Sequence, residues 1–217
     1  MTDDRTAAAE TTDASGAVPA EPAPAVDLRP QARLVARLAE RVTDEQLSAR
    51  TPCPEMPVDT LLAHFTGLAT AFRDAARKDF GPTTDTPPEV AAMELAPEWR
   101  SALAKVLGEL ADAWCDPRAW QGETRAGGVA MPGLVTGLVV ADELVVHGWD
   151  LARATGQEYL PDDAVLQAVH GFLARAAEDP GFAGLFGPVV PVPDDAPLLD
   201  RVIGLAGRDP HWAPPRA

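Results

Sequence analysis

The chain has 217 residues, 46% of them hydrophobic, and a formal net charge of -15. This length suits one domain with a real core, and the acidic balance without Lys/Arg clusters argues against nucleic-acid binding. No apolar run is long enough and free enough of charge to cross a membrane, and residues 1–4 show no secretion signal. Two widely separated cysteines, Cys53 and Cys115, are typical of reduced thiols, so we expect a cytoplasmic protein.

The first half of the chain predicts a tail and three helices. Residues 1–26 are rich in Ala, Thr, Pro, Asp and Glu, which predicts a disordered tail before one domain over 27–217. Helical spacing of apolar residues predicts helices over 28–48, 58–78 and 97–114. Proline-rich linkers at 51–57 and 79–97 separate them.

The second half predicts further helices. Residues 116–132 form a connection that has room for a short extended piece. Helices are then predicted over 132–155, 161–178 and 198–206. The pattern is that of an all-α four-helix bundle with one or two additional C-terminal helices, in which at least one long connection crosses an end.

The predicted helix 132–155 is the most apolar stretch, yet it contains Glu143, His147 and Asp150. Glu143 and His147 are four residues apart, so both lie on one face of the helix. Ionisable groups on a buried helix cost several kcal/mol unless they are paired or bind a metal. Gly137 and Gly148 indicate close helix packing or space beside a site.

His64 lies within the apolar face of helix 58–78. Alone it is typical of a core histidine, but with Glu143 and His147 it completes a two-His, one-Glu ligand set. Such a set suits a catalytic zinc site with an open position, or a non-haem iron site, and nickel is a further alternative. Asp150 would orient His147 or pair with an arginine such as Arg153. His170 is interpreted as a satisfied or exposed histidine.

Two stretches carry a family resemblance. The first is 58–65, which includes His64; the second is 142–156, from Asp142-Glu143 through His147-Gly148-Trp149-Asp150 to Gly156. They resemble the two motifs of the mycothiol-dependent maleylpyruvate isomerase metal-binding domain, within the DinB/YfiT-like superfamily of four-helix bundles. Residues 205–210, which contain Arg208, resemble the close of an actinobacterial branch of that group.

The resemblance implies a divalent metal, zinc first, held by His64, Glu143 and His147, with nickel or iron as alternatives. It also implies mycothiol or a similar thiol as co-substrate, activated by the metal toward an electrophile. The characterised isomerase has a further C-terminal domain that 217 residues cannot hold in full, so fold and metal site transfer better than the isomerase reaction.

Three functions therefore remain open at the level of sequence. The first is a metal-dependent transferase or isomerase that uses a low-molecular-weight thiol. The second is a non-catalytic metal-binding stress or scaffold protein, and the third is a non-haem iron enzyme. Polar residues beside the metal would favour an enzyme, and the candidates are Asp150, Arg153 and Arg208. The expected partner is a small thiol or electrophile, and a homodimer stays open.

Overall fold

The computed structural model describes residues 26–87, 94–179 and 187–214. Within these ranges the chain forms helices and one two-stranded hairpin. The helices are α1 (Arg29–Glu40), α2 (Val58–Arg77), α3 (Pro82–Asp85), α4 (Trp99–Ala113), α5 (Gly133–Thr155), α6 (Asp163–Glu178) and α7 (Leu198–Leu205); the strands are β1 (Glu123–Ala126) and β2 (Val129–Pro132). Residues 1–25 of the predicted tail lie outside the described residues, and Val26 is buried against the core.

Four helices make the bundle that the sequence predicts. α2 packs against α4 and α5, and α1 also packs against α4 and α5, so each helix has two neighbours around one core. Trp99 and Trp114 are buried in this core, as their positions in the apolar pattern predict. α6 packs on α5 and α7 packs on α6, which confirms an all-α fold with additional C-terminal helices. No described helix is long and apolar enough to cross a bilayer.

The first helix is shorter than the predicted 28–48. α1 ends at Glu40, and a single 3-10 turn, Asp44–Gln46, follows. Thr43 is extended, and its backbone N–H donates a hydrogen bond to the side-chain oxygen of Gln46. A capping arrangement of this kind begins a new turn and stops the preceding helix. Apolar spacing could not reveal this break because Leu47 still packs against the core beyond it.

The connection between α4 and α5 contains the short extended piece as a β-hairpin. Its turn is Gly127-Gly128, whose φ angles of 57° and 78° favour glycine in two-residue hairpin turns. Thr124 in β1 donates a hydrogen bond to the carbonyl of Ala75 in α2, and Gly133 at the start of α5 donates to Gly122. The hairpin therefore joins the end of α2 to the beginning of α5.

Close contacts hold α5 in place along its length. A Cβ on Gly137 would lie 2.8 Å from the ring of Trp114, and a Cβ on Gly148 would lie 3.2 Å from Val35 in α1. Both glycines thus mark close packing, one of the two alternatives that the sequence left open. The buried side chain of Gln31 donates to the carbonyl of Leu144, 3.1 Å away, so α1 is fixed to α5 beside His147.

Candidate metal centre

α2 and α5 bring His64, Glu143 and His147 together. Nε2 of His64 lies 3.3 Å from Oε2 of Glu143, and Nε2 of His147 lies 3.2 Å from the same oxygen. The two imidazole rings are edge to face with centroids 5.0 Å apart. Within the described ranges this is the one cluster of His, Cys, Asp or Glu whose potential ligand atoms are close enough to share an ion.

The cluster lies at the edge of the core, and Glu143 is its most solvent-exposed side chain. The side chains of His64 and His147 are 9% and 10% exposed, whereas that of Glu143 is 25% exposed. Both histidines lie on the buried sides of α2 and α5. Phe65 lies edge to face with His147 at 6.2 Å and closes one side of the site.

Asp150 orients His147. Nδ1 of His147 lies 2.9 Å from Oδ2 of Asp150, which is fully buried. A carboxylate only accepts, so Nδ1 carries the proton and donates it, and Nε2 is directed toward Glu143. This arrangement of carboxylate, imidazole and metal is common around metal-binding histidines, where it fixes the ring and its tautomer. The orienting role considered for Asp150 from sequence therefore has the required geometry.

Of the two arginine candidates, Arg208 reaches the site and Arg153 does not. Nη2 of Arg208 donates to Oδ2 of Asp150 at 3.2 Å, and its Nη1 donates to the carbonyl of Ala206 at 2.8 Å. Arg153 instead donates to the carbonyl of Trp212 and lies over the ring of Trp149. Helical spacing placed Arg153 one turn from Asp150, but contact with the C-terminal segment turns its side chain away.

The charges of the cluster are strongly coupled. Burial opposes ionisation of Glu143, but hydrogen bonds from His147 and His64 outweigh it and hold the pKa of that carboxyl well below its usual value. Burial likewise disfavours the charged form of His147, yet Asp150 and Glu143 raise its pKa to about 10. Without a metal, the imidazole of His147 is thus doubly protonated at neutral pH and lies between the carboxylates of Glu143 and Asp150.

Asp142 is a further acidic residue beside the cluster, and the sequence analysis gave it no role of its own. It is 5% exposed, and its Oδ1 has no hydrogen-bond partner among the described residues. Burial, then the charge of Glu143, raises the pKa of Asp142 to about 7. The signal in the sequence was an acid in an apolar run next to a candidate ligand.

Comparison with known proteins places this geometry in a family. The family model of the mycothiol maleylpyruvate isomerase N-terminal domain matches residues 28–152. The chain belongs to this family. The resemblance drawn from the two sequence motifs is thereby confirmed, and the matched segment contains the whole His/Glu/His cluster and Asp150. Arg208 lies beyond it, in the C-terminal part of the chain.

Two relatives align with most of the chain, beyond the segment that the family model matches. Two proteins of Mycobacterium tuberculosis, each named as an uncharacterized protein, are 29% identical to this chain over 189 residues: MT0763 of strain CDC 1551 / Oshkosh and Rv0738 of strain ATCC 25618 / H37Rv. The alignment covers 80% of this chain and 91% of each relative. No solved structure matches the chain significantly.

Proposed function

We propose that His64, Glu143 and His147 bind a divalent metal, zinc in the first place, and that the protein is a thiol-dependent transferase or isomerase. Its co-substrate would be mycothiol or another low-molecular-weight thiol, and its second substrate a small electrophile. The family supports a mycothiol-related, metal-binding domain. The particular reaction, the thiol and the metal are our proposal.

The observation that carries this proposal is the spacing of the ligand atoms. Atoms bound about 2.1 Å from a tetrahedral metal lie about 3.4 Å from one another. The two imidazole nitrogens lie 3.2 and 3.3 Å from Oε2 of Glu143, close to this spacing, and all three ligand atoms lie within 4.8 Å of one another. Two neutral nitrogens and one carboxylate oxygen also form the donor set of catalytic zinc sites.

Three protein ligands leave a position for a substrate atom. A bound zinc ion would favour the ionised form of a thiol or water in that position. The protein would contribute the geometry: Asp150 holds Nδ1 of His147, and Arg208 holds Asp150. Because the Glu143 side chain is 25% exposed, a small molecule can approach from its side without the core opening.

Two measurements, made one after the other, test the proposal. Metal analysis of protein purified without chelator should give about one ion per chain, as expected for one three-residue site. A cobalt-substituted sample should then develop a thiolate-to-cobalt charge-transfer band when mycothiol is added. Metal without a band, and without heat of thiol binding, would indicate a non-catalytic metal-binding protein. Iron in the isolated protein would favour the non-haem iron enzyme.

A further inference from the structure

A cleft lies between α6, α7 and the segment 189–194. Its volume is about 270 Å³, just below the range of about 300–1,000 Å³ that is usual for small-molecule sites. The whole cleft lies outside residues 28–152, which carry the family match. Its lining residues are His170, Ala174, Val189, Val190, Pro191, Val192, Asp194, Arg201 and Leu205.

The walls of this cleft are held in place by backbone contact. The N–H of Val190 donates to the carbonyl of Gly204 in α7 at 2.9 Å. A Cβ on Gly204 would lie 2.6 Å from the carbonyl oxygen of Val190, so the segment can approach α7 this closely only because residue 204 is glycine. The cleft is therefore preformed, and a ligand would not have to order it.

Two side chains with nitrogen donors, His170 and Arg201, line the cleft from α6 and α7. Both are half-buried, and in the described part of the chain neither side chain has a hydrogen-bond or ion-pair partner. His170, predicted to be satisfied or exposed, is partly exposed. Both side chains therefore remain free to donate to a ligand in the cleft.

The charges in the cleft select the kind of ligand. The guanidinium of Arg201 carries a positive charge. Burial, followed by the nearby charge of Arg201, lowers the pKa of His170, so the imidazole is neutral at pH 7 and donates through one nitrogen. Asp194 also lines the cleft, and its negative charge opposes any anion, a doubly charged one such as phosphate more than a singly charged one. The cleft thus offers one fixed positive charge, one neutral donor and walls of valine.

We propose that this cleft binds a small monocarboxylate with an apolar body, with its carboxylate on Arg201 and His170 and its hydrocarbon part on the valines. The planar guanidinium matches a carboxylate with two parallel hydrogen bonds, which favours a carboxylate over other singly charged anions. Val189 lines the cleft and its side chain is 49% exposed. A bound hydrocarbon group would bury part of this apolar surface. The site is independent of the metal.

The first experiment compares a carboxylate with its uncharged analogue. The full-length protein is titrated with 3-methylbutanoate, with the corresponding amide and with inorganic phosphate, by calorimetry and by the NMR signals of the His170 ring. We expect the carboxylate to bind and to shift the His170 signals, and the amide and phosphate to bind at least about tenfold more weakly. Equal affinity for the amide, or no binding of the carboxylate below about 10 mM, would overturn the proposal.

Variants then locate the binding site. Arg201→Gln removes the charge, Ala174→Leu fills the cleft, and Arg33→Gln removes an arginine of α1 as a matched control. We expect the first two to lower carboxylate affinity by about tenfold or more and the control to leave it unchanged. His147→Ala should also leave it unchanged. Binding that survives Arg201→Gln but is lost in His147→Ala would place the carboxylate on the metal, which overturns the cleft site and leaves the proposed function standing.

Discussion

Arg208 donates a hydrogen bond to Oδ2 of Asp150, 58 residues earlier in the chain. The same oxygen accepts from Nδ1 of His147 at 2.9 Å. One carboxylate oxygen therefore connects a proposed metal ligand to the segment that follows α7. This relationship and the ligand cluster lead to four predictions, and the packing of α5 leads to a fifth.

The first prediction concerns the proposed ligands. His64→Ala, Glu143→Ala and His147→Ala should each lose stoichiometric metal, because each removes one of three protein ligands. His211→Ala removes an exposed histidine outside the cluster and should keep the metal. Metal content of the purified variants, measured by mass spectrometry, decides the matter, and full retention in all three ligand variants would show that other residues bind the ion.

The second prediction concerns the orientation of His147. Asp150→Asn should lower metal affinity by about 10–100-fold, because the amide accepts the Nδ1 proton more weakly and carries no charge. Asp142→Asn changes a similarly buried carboxyl on the same helix, ionised only above its pKa of about 7, that makes no hydrogen bond to His147, so its effect should be smaller. Competition with a coloured chelator gives both affinities. Equal losses would indicate that net charge matters and orientation does not.

The third prediction separates the two arginines. Arg208→Met should lower the free energy of unfolding by about 2 kcal/mol, because the buried carboxylate of Asp150 loses one of its two charged hydrogen-bond donors and keeps His147. Arg153→Met should cost less, since Arg153 gives up hydrogen bonds to one carbonyl, that of Trp212, and no ion pair. Urea unfolding of both metal-free variants measures the difference. A smaller cost for Arg208→Met than for Arg153→Met would contradict the assignment.

The fourth prediction concerns pH. Burial disfavours the charged form of His147, but Asp150 and Glu143 raise its pKa to about 10, so without metal it keeps a second proton across the neutral range. Below this raised pKa the second proton occupies the ring, so the metal must displace it from Nε2, and a higher proton concentration competes more strongly with the metal. Metal affinity should thus be about tenfold lower at pH 7 than at pH 8. Calorimetry in buffers of different ionisation enthalpy should register the released proton, whereas a pH-independent affinity would refute the coupling.

The fifth prediction tests the packing of α5. Gly137→Ala should destabilise the protein by about 1–3 kcal/mol, because the new methyl group would overlap the rings of Trp114 and Trp120 in the core. Gly108→Ala in α4 meets nothing within 4 Å and should stabilise it by up to about 1 kcal/mol, since alanine favours helix. Thermal unfolding of the pair gives the sign directly. A neutral Gly137→Ala would mean that the tryptophan rings move aside easily.

Sequence periodicity was sufficient for the bundle and for the cluster. His64, Glu143 and His147 could be found because a buried ionisable group stands out against an apolar helical face, and such faces meet in a bundle. Asp150 followed from the same reasoning, because three residues after His147 it lies on the same side of the helix.

Contacts between distant residues could not be read in this way. Spacing along α5 suggested Arg153 as a partner of Asp150, and only the course of the chain after α7 decides that Arg208 reaches Asp150 instead. The end of α1 at Glu40 depends on a local competition at Thr43, where capping overrides an apolar pattern that continues to Leu47. The cleft around His170 and Arg201 is closed by residues 189–194, and these residues show no periodicity from which their position could be predicted.

The position of Arg208 bears on how this protein should be cut and compared. A fragment that ends at residue 152, where the family match ends, would retain every proposed ligand but would leave Asp150 without its arginine. Such a fragment would report the metal affinity of a loosened site. Relatives that share the cluster can likewise differ in the residue opposite Asp150, so inheritance of the three ligands alone does not guarantee inheritance of the affinity.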